Sequence, residues 1–333
     1  MRKPIVFLCE TLFALWVATS VAQAQVGSYT DPYAPEPPYL SVVEQLFPAH
    51  PPAVSAFNRP PAAVGTFTLD FLLLNRSRLD SNNLMTVDGA DSQDAADMDF
   101  GTTGAIRFTA VLPSPCGVDL QFSYLSSHEF MEVRSYSGGT VLSRLFNGTA
   151  TASTTREIAY EAPLDSFELN LRARQWERFA PLVGLRLVTL DEVSLQRNLA
   201  VDTGRVAGYS YNRMAGMQFG GEWLVGQVGR WRCEAVLKAG FFYNAMSIEG
   251  YSSNANMQRR FSSTSFLGEV NAMVVYVFTP NARFRIGYQG LWMEGVALLY
   301  DQYDNFDLTN GNGSVDLGSL NFQGGYLGFD ITW

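Results

Sequence analysis

The sequence predicts an all-β chain: an antiparallel transmembrane β-barrel of about ten strands, twelve being the alternative count, with short periplasmic turns and long extracellular loops. Three observations predict it. Segments of strand length are joined alternately by short turns and by long polar connections. Within the segments apolar and polar residues alternate. The last segment is an amphipathic strand that ends on an aromatic residue, Trp333.

The alternating connections carry the most weight. Candidate strands are 65–76, 101–112, 117–130, 156–175, 180–191, 209–223, 231–244, 264–278, 283–297 and 319–333. Strands two, four, six and eight end in short turns around Pro113-Ser114-Pro115-Cys116, Glu177-Arg178-Phe179, 225–230 and Thr279-Pro280-Asn281-Ala282. The other connections, roughly 77–100, 131–155, 192–208, 245–263 and 298–318, are long and polar. Short turns on one side and long loops on the other mark an outer-membrane barrel. A soluble sandwich mixes loop lengths at both ends because its strands cross between two sheets.

Alternation assigns the two faces. In the third segment Val118, Leu120, Phe122 and Tyr124 oppose Asp119, Gln121 and Ser123. In the fourth, Phe167, Leu169, Leu171 and Ala173 oppose Glu168, Asn170, Arg172 and Arg174; in the seventh, Trp231, Ala235, Leu237, Phe241 and Tyr243 oppose Arg232, Glu234, Lys238 and Asn244. A period of two is a half-buried strand. An outward Arg or Lys at mid-membrane costs about 2–4 kcal/mol, so the charged set faces inward. It comprises Asp70, Arg107, Asp119, Glu168, Arg172, Arg174, Arg186, Glu222, Arg232, Glu234, Lys238, Glu269, Arg285 and Asp330.

The remainder of the chain divides simply. Residues 1–24 read as a cleavable export signal: Met1-Arg2-Lys3, an apolar stretch from Ile5 to Val21, then Ala22-Gln23-Ala24. Residues 25–64 hold nine of the fifteen prolines and read as a proline-rich periplasmic leader, extended or disordered by default, a plug or tether being the alternative. Residues 65–333 are the barrel. Beyond the signal no apolar run reaches the roughly 18 residues of a membrane helix. Cys116 and Cys233 lie too far apart around the predicted wall for a relaxed disulfide.

The residues that carry a family resemblance follow in order. They are Pro181-Leu182-Val183-Gly184-Leu185-Arg186-Leu187, Gly216-Met217-Gln218-Phe219-Gly220, Leu237-Lys238-Ala239-Gly240-Phe241, Phe266-Leu267-Gly268-Glu269, and Arg285-Ile286-Gly287-Tyr288-Gln289 with Leu291 to Leu298. Over about residues 65 to 333 they resemble the beta barrel porin type-seven family of planctomycete bacteria. The resemblance implies an outer-membrane porin of unassigned substrate and supplies no catalytic residues.

For function the inward charges offer two readings. One is a narrow porin for passive diffusion of small solutes, lined by Arg107, Arg172, Arg174, Arg186, Lys238, Glu269 and Arg285, the arginines favouring small anions. The other is a plugged structural or adhesive barrel whose paired charges fill the lumen and whose acidic loops face the environment; an eight-stranded barrel is just filled by its own side chains. Those loops hold Asp80, Asp88, Asp91, Asp94, Asp97 and Asp99, and Asp301, Asp304, Asp307 and Asp316. Asp304 and Asp307 are the calcium candidates, although neither loop has EF-hand spacing. An enzyme is not expected: His50 and His128 are the only histidines, and Ser127-His128-Glu129 on one strand point to alternate faces. No cofactor motif and no basic patch for nucleic acid appears. Expected partners are outer-membrane lipid, small solutes and the barrel insertion machinery, which would read the strand ending at Trp333. No outward patch marks an oligomer contact.

Overall fold

A computed structural model describes residues 65–333 apart from 80–82, 88–89, 115–116, 128–129, 144–151, 174–177, 200–204, 253–254, 304 and 308–311. The expected signal, the leader and His50 lie outside the described residues, as do Cys116, His128, Arg174 and Asp304.

Sixteen strands are described. The first eight are β1 (Thr66–Arg76), β2 (Asn83–Val87), β3 (Ala90–Asp94), β4 (Thr102–Leu112), β5 (Val118–Ser127), β6 (Met131–Ser143), β7 (Ala152–Glu161) and β8 (Leu164–Ala173). The others are β9 (Phe179–Asn198), β10 (Val206–Val228), β11 (Trp231–Tyr251), β12 (Asn256–Thr279), β13 (Ala282–Val296), β14 (Phe306–Asp307), β15 (Asn312–Gly313) and β16 (Gly318–Thr332).

Ten of them close a ring in the order β1, β4, β5, β8, β9, β10, β11, β12, β13, β16 and back to β1, every pair antiparallel. The seam runs from Thr66 opposite Thr332 to Arg76 opposite Phe322, and Gly65 and Trp333 exchange both backbone hydrogen bonds at 3.2 Å. Closure satisfies the backbone groups that lipid cannot. The chain is thus a closed ten-stranded barrel of the outer-membrane class. Both described termini and the short connections share one end, called the turn end below; the long connections share the other, the loop end.

The expected faces are in place. Outward side chains form an exposed apolar belt that includes Phe71, Leu73, Leu185, Leu187, Met217, Phe219 and Leu327. A patch of this size has no aqueous explanation and is what acyl chains cover. Aromatic pairs rim it at the turn end, Phe179 with Trp223 at 4.4 Å and Trp231 with Tyr276 at 4.7 Å. Cys233, among the outward residues, is free. Leu185, 56% exposed on the lipid side of β9, supplies a test of the belt. Leu185→Arg should destabilise the vesicle-folded barrel by about 2–4 kcal/mol in urea titrations; no loss would put this face in water.

Two expectations need correcting. The segment 156–175 is not one strand. Pro163, which has no amide hydrogen to donate, separates β7 from β8, and only β8 stays in the wall. β7 turns out to pair with β6 and with the upper part of β9. The connections 131–155, 192–208 and 245–263 are largely strand rather than loop: β9 to β12 run on past the belt, and β6 and β7 extend the sheet beside them, with β2 and β3 beyond. Above the belt the outer face meets water, so the lipid-facing run of apolar residues that marks a membrane strand stops while the pairing continues.

Candidate functional site: the barrel lumen

The lumen has two layers. Toward the turn end it is polar, and the charges are matched. Asp70 on β1 accepts hydrogen bonds from Arg107 Nε at 2.8 Å and from Arg285 Nε and Nη2 at 2.7 and 2.6 Å. Glu269 on β12 binds Arg186 Nη1 at 2.7 Å and Lys238 Nζ at 3.4 Å. Glu168 on β8 binds the same two cations, Lys238 at 2.8 Å and Arg186 at 3.4 Å. Arg172 meets Glu222 at 2.8 Å and Asp119 at 3.7 Å.

Neutral amides knit these pairs together. Arg107 Nη1 donates to Gln289 Oε1 at 2.7 Å, Asn271 Nδ2 to Glu269 at 2.8 Å, and Gln218 Nε2 to Glu168 at 2.7 Å. Two inward glycines make room for this layer. At Gly328 a Cβ would overlap Asp70 Oδ1, and at Gly184 it would overlap Asn170 Oδ1.

Toward the loop end the lumen is apolar, lined by Leu72, Leu74, Leu190, Met214, Phe242 and Met293. The chain itself fills it. After a bulge at the end of β13, where Gly295 takes φ +75°, residues 297–303 and 305–306 turn inward. Leu298, Leu299, Tyr300, Tyr303 and Phe306 are buried to 2% exposure or less, each worth about 1.5–3 kcal/mol on transfer from water. Burial pushes the Tyr300 and Tyr303 phenols up, so both stay neutral.

Polar ties hold this plug. Ala297 donates its N–H to Asn212 Oδ1 at 2.9 Å and accepts from Asn212 Nδ2 and Ser210 Oγ at 2.9 and 2.6 Å. Leu299 N–H donates to Glu192 Oε2 at 2.5 Å, and the other oxygen of Glu192 is ion-paired with buried Arg76.

Six of the seven expected lining residues, Arg107, Arg172, Arg186, Lys238, Glu269 and Arg285, do sit together inside the barrel; Arg174 lies outside the described residues. They do not ring an open bore. At mid-height Glu168, Asn170, Arg186, Gln218, Glu269, Asn271 and Gln289 are all 4% exposed or less. The space that remains is a cavity of about 130 Å³ in the turn-end half, bounded by Arg107, Arg172, Lys238, Arg283, Arg285 and the carboxylates of Glu222, Glu234 and Asp330. Asp307 is half-buried in β14, and no group of three metal-ligating residues occurs among the described residues. Ser127 is committed to the backbone of Leu164, whose N–H it accepts at 3.1 Å.

The plug was not anticipated, nor were the inward amides Gln218, Asn271 and Gln289. The amides had a signal, since they occupy inward positions of the alternation. The plug had only a weak one, the apolar run Val296 to Tyr300 entering a polar loop.

No protein-family model matches the chain, and no curated protein matches it. Among solved structures it is similar to the outer membrane protease OmpT from Escherichia coli, with 13% identity, 82% of this chain and 97% of that one covered, and a TM-score of 0.47. The Neisserial surface protein A gives 10% identity, coverages of 81% and 97%, and a TM-score of 0.31. The Ralstonia pickettii toluene transporter TbuX gives 7%, 80% and 88%, and 0.34. It is the closed ring of strand pairs that makes the chain a barrel.

Proposed function

We propose that this chain is a closed outer-membrane barrel that presents a β-platform at the cell surface and does not act as an open pore. The observation that carries the reading is the mid-lumen layer of Arg186, Glu168, Glu269 and their amide partners, packed to near-complete burial beneath an apolar plug. Sealing along both layers supports a structural or adhesive role. The presented surface is the sheet formed by β6, β7, β2, β3 and the upper parts of β9 to β12, with exposed Met131 and Val133 on β6 and exposed Asp97, Asp99 and Asp316 in the long connections. In this reading the turn end faces the periplasm, the chain is exported by residues 1–24, and the strand ending at Trp333 is what the insertion machinery handles.

One observation favours the second reading, the narrow porin that the type-seven resemblance implies. The turn-end cavity already forms half of a path, and its wall holds five cations. Liposome swelling separates the two. Proteoliposomes in iso-osmotic glycine or small sugars are expected to swell no faster than empty vesicles; size-dependent swelling would establish diffusion through the barrel and overturn the closed reading.

A further inference from the structure

The inward cations of the polar layer are matched almost without exception, and the exceptions lie together. Arg107, Arg172, Arg186, Lys238 and Arg285 each face a carboxylate. Arg232 on β11 and Arg283 on β13 have no hydrogen bond and no ion pair among the described residues. Arg232 is only 6% exposed, yet neither its Nε nor its Nη1 meets an acceptor. Arg283 Nε is likewise buried without one.

We infer that the turn end of the lumen is a binding site for a small oxyanion, a carboxylate or a phosphate, held between Arg232 and Arg283. A charged donor withdrawn from water without an acceptor is costly, and such groups in a native fold call for a reason. An incoming oxyanion supplies the missing acceptors, and a guanidinium offers it two parallel N–H groups.

The placement fits. Arg283 bounds the cavity of about 130 Å³, and Arg232 lies one inward position closer to the turn end than Glu234, which also bounds it. Only β12 separates the two arginine strands, with Val275 opposite Arg232 and Val277 opposite Arg283. The volume is room for roughly ten waters or one small solute. The plug closes the opposite end, so the guest enters from the turn side.

The nearby acids do not satisfy these arginines. Glu222 is held by Arg172 and by Gln121 Nε2 at 3.1 Å. Asp330, opposite Arg283, accepts from Thr68 Oγ1 at 2.8 Å and lies 3.7 Å from Arg285. Glu234 makes no hydrogen bond or ion pair among the described residues; its charge acts on both Arg283 and Arg232 but satisfies none of their buried N–H groups, which is what the guest would do. The site stands whether or not the barrel conducts.

The test is calorimetric titration of the full chain, folded in detergent micelles, with inorganic phosphate and separately with acetate. Saturable binding of at least one of them is expected, weakened about tenfold or more by Arg283→Gln and by Arg232→Gln. Arg197→Gln on the outer surface should leave it unchanged. Because neither lumen arginine has a hydrogen bond or an ion pair to lose among the described residues, both variants should keep the compact gel mobility of the folded barrel. No saturable binding of either anion, or undiminished binding by the Arg232→Gln/Arg283→Gln double variant, would overturn the inference.

Discussion

Glu269→Ala is expected to cost the barrel about 3–5 kcal/mol, more than any single substitution on its outer surface. The reason is what it leaves behind. Glu269 is 2% exposed and serves Arg186 at 2.7 Å, Lys238 at 3.4 Å and Asn271 at 2.8 Å. Without it, Arg186 and Lys238 share the single charge of Glu168, and Arg186, 1% exposed, has no water to replace the lost oxygen. A buried ion pair adds little net stability compared with apolar packing, but breaking one strands its partner. Glu157 makes the contrast: its pair with Arg197 is as short, 2.6 Å, but Arg197 is half exposed. Glu157→Gln should therefore cost less than about 1 kcal/mol. Reversible urea unfolding of the vesicle-folded barrel, followed by tryptophan fluorescence, checks both. Equal losses at the two positions would mean that water reaches Arg186 at mid-height.

The second large effect is local. Glu192→Ala removes both the counter-charge of Arg76 and the acceptor of Leu299 N–H. Arg76 keeps its bond to Tyr160 Oη at 2.8 Å and its stacking over Phe100 at 4.9 Å, but its charge is left uncompensated at 7% exposure. The penalty falls on the plug, because the wall strands retain their ladders. Hydrogen exchange of a peptide spanning 297–306 should accelerate by a factor on the order of a hundred or more, while amides of β10 and β11 keep their protection. Exchange in the plug at the wild-type rate would show that Glu192 does not hold it.

How far the sequence could be read follows from the physics of each layer. In the membrane belt one face meets lipid and the other a charged interior, so alternation is steep, and β5, β8 and β11 carry their faces in plain view. Among the described residues the expected charges face inward for the same reason: an arginine such as Arg186 has nowhere to go but in. Above the belt the rule inverts. Ile158, Tyr160 and Ile248 point into the interior while polar residues face water, the pattern of any soluble sheet, so the extension of β9 to β12 and the detour through β6 and β7 read as loop. The plug was hidden for a further reason. Its apolar residues are few, and their value comes from Leu72, Leu74 and Phe242, which are distant in sequence. Pairing within the lumen was likewise out of reach. Arg186 and Glu269 are separated by 83 positions, and only closure of the ring brings them together. The signal, the leader and Asp304 lie outside the described residues.

Single-channel recording in planar bilayers addresses the sealed interior most directly. The purified barrel should insert and give no conductance steps above membrane leak at moderate voltage. Reproducible steps from the wild-type chain, abolished when Arg186 or Arg285 is replaced, would show that ions pass through the mid-lumen layer and contradict a sealed interior.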